Sequence, residues 1–494
     1  MSKLSMSISI ELLNEIYEIG LFNSINVLVK LNKDPILVHR LYQAMSMYEI
    51  GLIDDGIRLI SDMNIDLFGE KMHKSLFLEV SLKLFIKKSR VDRIVNIIND
   101  PFIMSEFFSF KIDYLLIQAL MICYSQPDSN HPAKPFLLRL FDRYPFSVEI
   151  CEMMLKCGIS INDSKITEIG QPYTDFINGI ISFNQQNYRF SMQCFNNILL
   201  SYPGCIPALN KLAICAQKIE DDSLFDSCVS QLPFSDPEII DMRAYRLKHL
   251  NKQKELEFLV VEALNSSQAS CNNWLALSYH FELCNDHQRA FHSVTHSLNL
   301  DKNSRRAYMR QGELRIKRND VRKAEQSFSK AHVLLPGIDS FTALVHCNCL
   351  LKNWDIAKAY ASAAMKEYPE GSFDCNSAVT LMGLALRGND RKRAISILNT
   401  VISRDKTNIE ALGALIDIKI EDEDYNSALE LLEATRTPKN EFFFCFKTGE
   451  LYGYMKDYEK SMEFIQKALN INPNNERAKS MLEQLESFLD NTAD

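Results

Sequence analysis

The sequence predicts an all-α fold, a solenoid of antiparallel helix pairs, on three observations. A small residue recurs at Ala290, Ala324, Ala357, Ala394, Ala428 and Ser461, in steps of 34, 33, 37, 34 and 33 residues. Four residues ahead of each stands a turn-forming Asp or Asn: Asp286, Asp320, Asn353, Asp390, Asp424 and Asp457. Gly (16) and Pro (15) are scarce in 494 residues and no long strand-period segment occurs, which disfavours a turn-rich sheet fold. A period near 34 is that of two helices and two short turns. One such pair cannot bury its own apolar faces, so neighbours must stack into a right-handed superhelix.

The elements follow in order. Residues 8–31 and 74–99 read as amphipathic helices without repeat register. Residues 36–63 read as a helix pair carrying Ala44, Tyr48, Asp54 and Gly56. Residues 113–145 form another pair, its turn enlarged by the helix breakers of "SQPDSNHPAKP". In 176–203, Gly179, Asn187, Tyr188, Ser191 and Pro203 fall in register, and two weaker pairs follow at 205–236 and 237–270, the second with Ala263. From residue 271 the marks are those of tetratricopeptide repeats. Trp274, Tyr308 and Phe341 fill the gap to the preceding repeat, Gly312 and Gly449 let the two helices approach, and Pro336, Pro369 and Pro473 close their repeats. Residues 476–489 read as a polar-faced helix of the kind a solenoid uses as a cap. Four regions result: degenerate, dimerising repeats over 1–170, tetratricopeptide-like repeats over 171–270, a regular array over 271–475, and a cap with a short tail over 476–494.

Composition narrows the function. A net charge of −8 and a pI near 5.8 give no basic footprint for nucleic acid or an anionic membrane, so neither is expected as a partner. Glu11, Glu15 and Glu18 interrupt the stretch where a signal peptide needs an apolar core, and no apolar run is long enough to span a bilayer. Thirteen cysteines without a CxxC pair suit the buried, reduced thiols of an intracellular protein. No GxGxxG, GxxxxGK[ST], HExxH or GxSxG motif occurs, and the repeats leave no room for a catalytic domain before residue 475, so no enzyme and no cofactor are expected. The cluster His346-Cys347-Asn348-Cys349 lies inside a repeat helix and lacks a second ligand pair. His280, His287, His292 and His296 have no accompanying carboxylate or Cys set. No metal site is expected.

Two surfaces stand out. The first helix of each repeat lines a concave face, here with Asn272, Leu275, Tyr279 and Glu282, then Arg306, Met309, Glu313 and Ile316, then Asp339, Thr342, His346 and Cys349. Arg306 and Arg310 are paired cations suited to a carboxylate or an acidic segment, giving a candidate peptide groove of Asn272, Tyr279, Arg306, Met309, Arg310 and Glu313. Reversing both arginines to Glu is then expected to abolish binding and leave the melting temperature nearly unchanged; the alternative is a solvated basic helix face, on which binding survives both reversals. The Lys and Asn arrangement that clamps EEVD-type tails is not evident. At the other end, Leu12, Leu13, Ile16, Ile25, Leu28 and Val29 form apolar stripes that no earlier repeat covers. A second copy would cover them, with Leu13, Ile16, Leu28 and Leu31 in or beneath a two-fold interface.

"IIDMRAYRLKHLNKQKELEFL", "WLALSYHF", "AYMRQGELRIKRNDVRKAEQSFSKAHVLLPG" and "LYGYMKDYEKSMEFIQKALNINPNN" follow one another in the order and spacing of a known family. On these segments, and on the opening "LLNEIYEIGLFNSINVLVKL", the chain resembles the subunit 7 family of the anaphase-promoting complex (cyclosome). That family is a tetratricopeptide scaffold within a cell-cycle ubiquitin ligase. The resemblance is strongest over 236–485, and the long acidic C-terminal tail of some members is missing. It implies a non-catalytic role in mitosis, homodimers through the N-terminal repeats, stacking on other tetratricopeptide subunits, and residence in nucleus and cytoplasm. The capture of Ile-Arg tails by a sister subunit is not carried over, because no residues match. Other readings are another such subunit of the same complex, a ciliary-trafficking coat subunit, or a chaperone co-factor.

Overall fold

A computed structural model describes residues 9–31, 36–88, 90–124, 128, 130–161, 170–219, 221–265, 270–372, 374–438, 440–473 and 475–493. Among them every regular element is a helix. The protein is a tetratricopeptide solenoid that divides into two compact units, Met1–Phe225 and Asp226–Asp494. This division coincides with neither the 170/171 nor the 270/271 step, which follow the clarity of the repeat marks rather than packing.

In the first unit, helices Ile10–Glu18 and Phe22–Leu31 dock on Leu37–Ile50. Tyr17 Oη donates to Glu49 Oε1 at 2.9 Å and Tyr42 Oη to Asn14 Oδ1 at 3.2 Å. Helix Ile53–Ile60 completes the pair read from residues 36–63, and Gly56 takes its small position, where a Cβ would lie 3.0 Å from Leu84. Helices Lys71–Lys87, Val91–Ile98, Phe110–Cys123, Lys134–Arg143 and Val148–Lys156 continue the stack. In the breaker-rich turn before Lys134, the His131 ring is a tie: its Nε2 lies 2.9 Å from the Tyr124 carbonyl, and the Ala133 N–H donates to Nδ1 at 3.1 Å.

Asp113, on helix Phe110–Cys123, is buried, and Arg139 Nη2 donates to its Oδ1 at 3.1 Å. Burial pushes its carboxyl from 3.8 up to about 6, against the pull of Arg139. The folded state therefore holds this proton more tightly than the unfolded chain, and the term lowers stability as pH rises from about 4 to about 6. Asp113→Asn should remove it: the mutant's urea midpoint, relative to the parent, is expected to be higher at pH 7 than at pH 4. An offset independent of pH would show that Asp113 is ionised throughout.

In the second unit the repeat marks become packing. Ala290, Ala324, Ala357, Ala394, Ala428 and Ser461 are all fully buried, as only small side chains allow at a helix–helix crossing. Where the small residue is serine the hydroxyl finds a fixed acceptor. Ser461 Oγ donates to the Gly449 carbonyl at 2.8 Å, and Ser191 Oγ of the first unit repeats the bond to Gly179 at the same distance. The turn residues Asp286, Asp390, Asp424 and Asp457 cap the following helix by accepting from the third backbone N–H beyond. One recurrent feature has little sequence signal. The residue before the cap is left-handed at Gln186, Asn251, Asn285, Asn319, Lys352, Glu423 and Lys456. There the next N–H closes the preceding helix by bonding five residues back, for example Asp286 N to Phe281 O at 2.8 Å. Helix Glu476–Ala493 lays Ala478 and Leu485 against Ile465.

Candidate functional site

The candidate groove is built on three successive first helices of the second unit, Ile240–His249, Cys271–Leu283 and Arg305–Lys317. Ser270 and Ser304 cap the latter two by accepting from Asn273 N and Ala307 N, both at 3.3 Å. Buried Asn273 donates to the Ala263 carbonyl at 2.8 Å, locking the rotation of its helix. These fixed rotations aim Glu282, Arg310 and Tyr279 at one another.

Glu282 is the hub. Its buried carboxylate accepts from Lys248 Nζ at 2.7 Å, and also from Arg310 Nη2 and Lys317 Nζ, so all three helices are tied to one group. Burial alone would raise its carboxyl, but Arg310, Lys248 and Lys317 outweigh burial and hold it at about 2. Arg310 is itself buried, with Nε donating to Ser278 Oγ at 3.1 Å and Nη1 to Glu313 Oε2 at 3.0 Å. Its guanidinium sits 4.0 Å from the ring centre of Tyr279, a desolvated cation–π contact, and Lys248 lies 5.7 Å from the same ring. Burial, then Glu313, pushes the Tyr279 hydroxyl well above its usual range.

Three of the six groove residues read from the sequence, Tyr279, Arg310 and Glu313, come together here, and the other three are engaged elsewhere. Arg306 Nη1 reaches two repeats along the stack to buried Asp241, at 3.0 and 3.2 Å from its two oxygens, and to the Glu238 carbonyl at 3.1 Å. Asn272 Nδ2 donates to the Pro237 carbonyl at 2.9 Å. Met309 packs sideways against the Ala324 and Phe328 core. Arg310 is neither a free cation nor part of a solvated face, since Glu282, Glu313 and Ser278 take its donors. Three participants escaped the candidate set: Lys248, Glu282 and Lys317. Their spacing of 34 and 35 residues, one repeat each, was the available signal.

The other candidates are dispersed. His346 Nε2 lies 2.8 Å from Glu410 Oε1, while burial pushes the Cys347 and Cys349 thiols up to about 12 and 11, away from thiolate ligation. His296 stacks on Trp274 at 4.0 Å. Among the described residues no group of three or more His, Cys, Asp or Glu is placed to hold a metal, and no helix is long and apolar enough to cross a membrane. At the N-terminal pair, Leu13 is fully buried in the chain's own core with Ile25 and Val29, and Ile16 and Leu28 are partly buried. The exposed apolar residues are Leu12, Ile19, Leu21 and Val27. The Leu31 side chain lies outside the described residues.

Comparison with known proteins agrees with this picture. The tetratricopeptide repeat family matches residues 444–475. Anaphase-promoting complex subunit 3 of Schizosaccharomyces pombe is 22% identical over 302 residues, 60% of this chain and 45% of that protein. Subunit 7 of Arabidopsis thaliana is 23% identical over 305 residues (60% and 54%), and subunit 7 of Dictyostelium discoideum 21% over 289 (57% and 49%). The aligned part thus spans about half the length of these curated relatives. The crystal structure titled APC/C hetero-tetramer Cut9-Hcn1 aligns with a TM-score of 0.52 at 13% identity, covering 96% of this chain and 89% of that one, a likeness of fold. A tetratricopeptide array is not an enzyme fold. The chain is a tetratricopeptide-repeat solenoid similar in sequence to subunits 3 and 7 of the anaphase-promoting complex.

Proposed function

We propose that the chain is a non-catalytic scaffold subunit of an anaphase-promoting complex, organising other tetratricopeptide subunits in nucleus and cytoplasm. The observation that carries this is the agreement of three curated relatives, all subunits of that complex, over more than half of the chain. Helices tied to one another through buried charge suit a rigid scaffold. Affinity purification of the tagged chain followed by mass spectrometry tests it. Other subunits of the complex are expected as the main co-purifying proteins. A ciliary coat or a chaperone assembly in their place would overturn the reading.

The same proposal includes a homodimer formed at the N-terminal pair. Leu12, Ile19, Leu21 and Val27 are exposed there, and a second copy covers such a row through a self-complementary two-fold contact, with Leu13 beneath it. Light scattering should give about twice 56.8 kDa for the chain and a folded monomer for Ile19→Glu combined with Val27→Glu. A monomeric parent, or a double variant that stays dimeric, would remove this assignment.

A further inference from the structure

We propose that one edge of the second unit, formed by residues 317–325, 350–358 and 387–395, docks an acidic segment of a partner protein that carries apolar residues at its centre. Each stretch holds the turn from the first to the second helix of one repeat, so together they form a rim beside the face lined by the first helices. Successive turns touch along this rim. Arg318 Nη2 donates to the His287 carbonyl at 2.6 Å, the Trp354 ring lies against Gly388, and Arg387 and Arg391 pair with Glu421. In a chain of net charge −8, the three stretches carry ten Lys or Arg against four Asp or Glu, a net +6. The equivalent stretches on either side, 283–291 and 421–429, have net charges of 0 and −4. The positive run is therefore bounded at both ends.

The run works against the helices that carry it. Arg322, Lys323, Arg391, Lys392 and Arg393 stand in the first turns of helices Val321–Leu334 and Arg391–Arg404, neither of which has an acidic residue there. Cations at a helix N-terminus oppose the helix dipole, and neighbouring ones repel each other. Part of the charge is met internally: Lys317 by Glu282, Lys323 by Asp320, and Arg387 and Arg391 by Glu421. Arg322, Lys352, Lys358, Lys392 and Arg393 are exposed, and among the described residues their side chains have no anion or hydrogen-bond acceptor. A local rule broken on successive repeats, without compensation inside the chain, marks a surface kept for a partner. The sign makes that partner acidic. Its class follows from the middle stretch, which exposes Leu350 and Ile356 between the outer cation groups. A phosphate backbone has nothing to lay on them, whereas a protein segment has apolar side chains.

A fluorescein-labelled peptide with a Leu-Ser-Leu centre between two clusters of Glu, titrated by anisotropy with the full chain, tests this. It should bind more weakly as salt rises. It should also bind more tightly than the same peptide with Lys for Glu, the same peptide with Ser for Leu, and an oligothymidylate of equal charge. Lys392→Glu with Arg393→Glu should weaken it by about tenfold or more, and Arg322→Glu several-fold, because exposed attractive contacts become repulsive. These variants keep the fold, since an acidic residue in the first turn of a helix suits its dipole. Lys302→Glu with Lys406→Glu makes the same change of net charge at exposed residues in the turns between repeats, and should alter nothing. Absence of binding, undiminished binding to the Lys392→Glu/Arg393→Glu variant, or an equal loss from the Lys302→Glu/Lys406→Glu variant would overturn the proposal. So would a comparison peptide or oligothymidylate that binds as tightly.

Discussion

Arg310→Glu is expected to cost about 3–5 kcal/mol of stability, the range found when one partner of a buried ion pair is removed. The sequence taken alone places Arg310 on a groove wall and leaves the melting temperature untouched by its reversal. The geometry requires the opposite. Arg310 is 2% exposed, its donors satisfy Glu282, Glu313 and Ser278, and its guanidinium covers Tyr279. A carboxylate at that position would face buried Glu282 with little water to screen the repulsion, and Glu313, which is partly exposed, beside it. Arg306→Glu acts by the same mechanism more weakly, since Arg306 is about one-third exposed while its partner Asp241 is buried. The hub also gives a sign to the acid limb of stability. Glu282 is held at about 2 in the folded chain against a usual 4.5, so its contribution is complete above about 4.5 and fades as pH falls toward 2. Urea melts of Arg310→Glu and of the parent at pH 7 decide the matter. A difference under about 1 kcal/mol would place Arg310 back on a solvated face.

The second unit was legible because its marks are steric and periodic. Six positions at steps near 34 are fully buried, and the Asp or Asn four residues earlier occupies the cap in every case. Two kinds of information were not legible. The left-handed turn residue has a compositional signal only where it is Asn; at Gln186, Lys352, Glu423 and Lys456 the helix-closing hydrogen bond imposes the conformation on an unsuited residue. At the site, helical periodicity gives the face of Arg306 and Arg310 but not the side chains arriving from neighbouring repeats, so Glu282 and Asp241 could not be recognised as their partners. The N-terminal stripe shows the same limit. Period alone groups Leu12 with Leu13, yet one is exposed and the other fully buried, because the position of helix Leu37–Ile50 decides which side is inside.

Two glycines in equivalent helices should respond to the same substitution with opposite signs. Gly312→Ala adds a Cβ that would lie 2.7 Å from Phe328 Cδ1 and closer still to other atoms of that ring. Phe328 is buried at the crossing of helices Arg305–Lys317 and Val321–Leu334, beside fully buried Ala324, so the ring cannot turn away without displacing the core. Overpacking of this kind costs about 1–3 kcal/mol, which exceeds the gain of up to about 1 kcal/mol from replacing a mid-helix glycine. Gly413, in helix Ile409–Glu421, has no such neighbour: an added Cβ would rest 3.6 Å from Phe443 Cζ, an ordinary contact. Gly413→Ala should therefore stabilise by about 0.5–1 kcal/mol, chiefly by narrowing the unfolded ensemble. Thermal melts of the two single mutants beside the parent measure both signs in one experiment. If Gly312→Ala melts at or above the parent, the close approach of the paired helices is not what selects glycine there; if Gly413→Ala melts below the parent, the open space at Gly413 is not what its added Cβ meets.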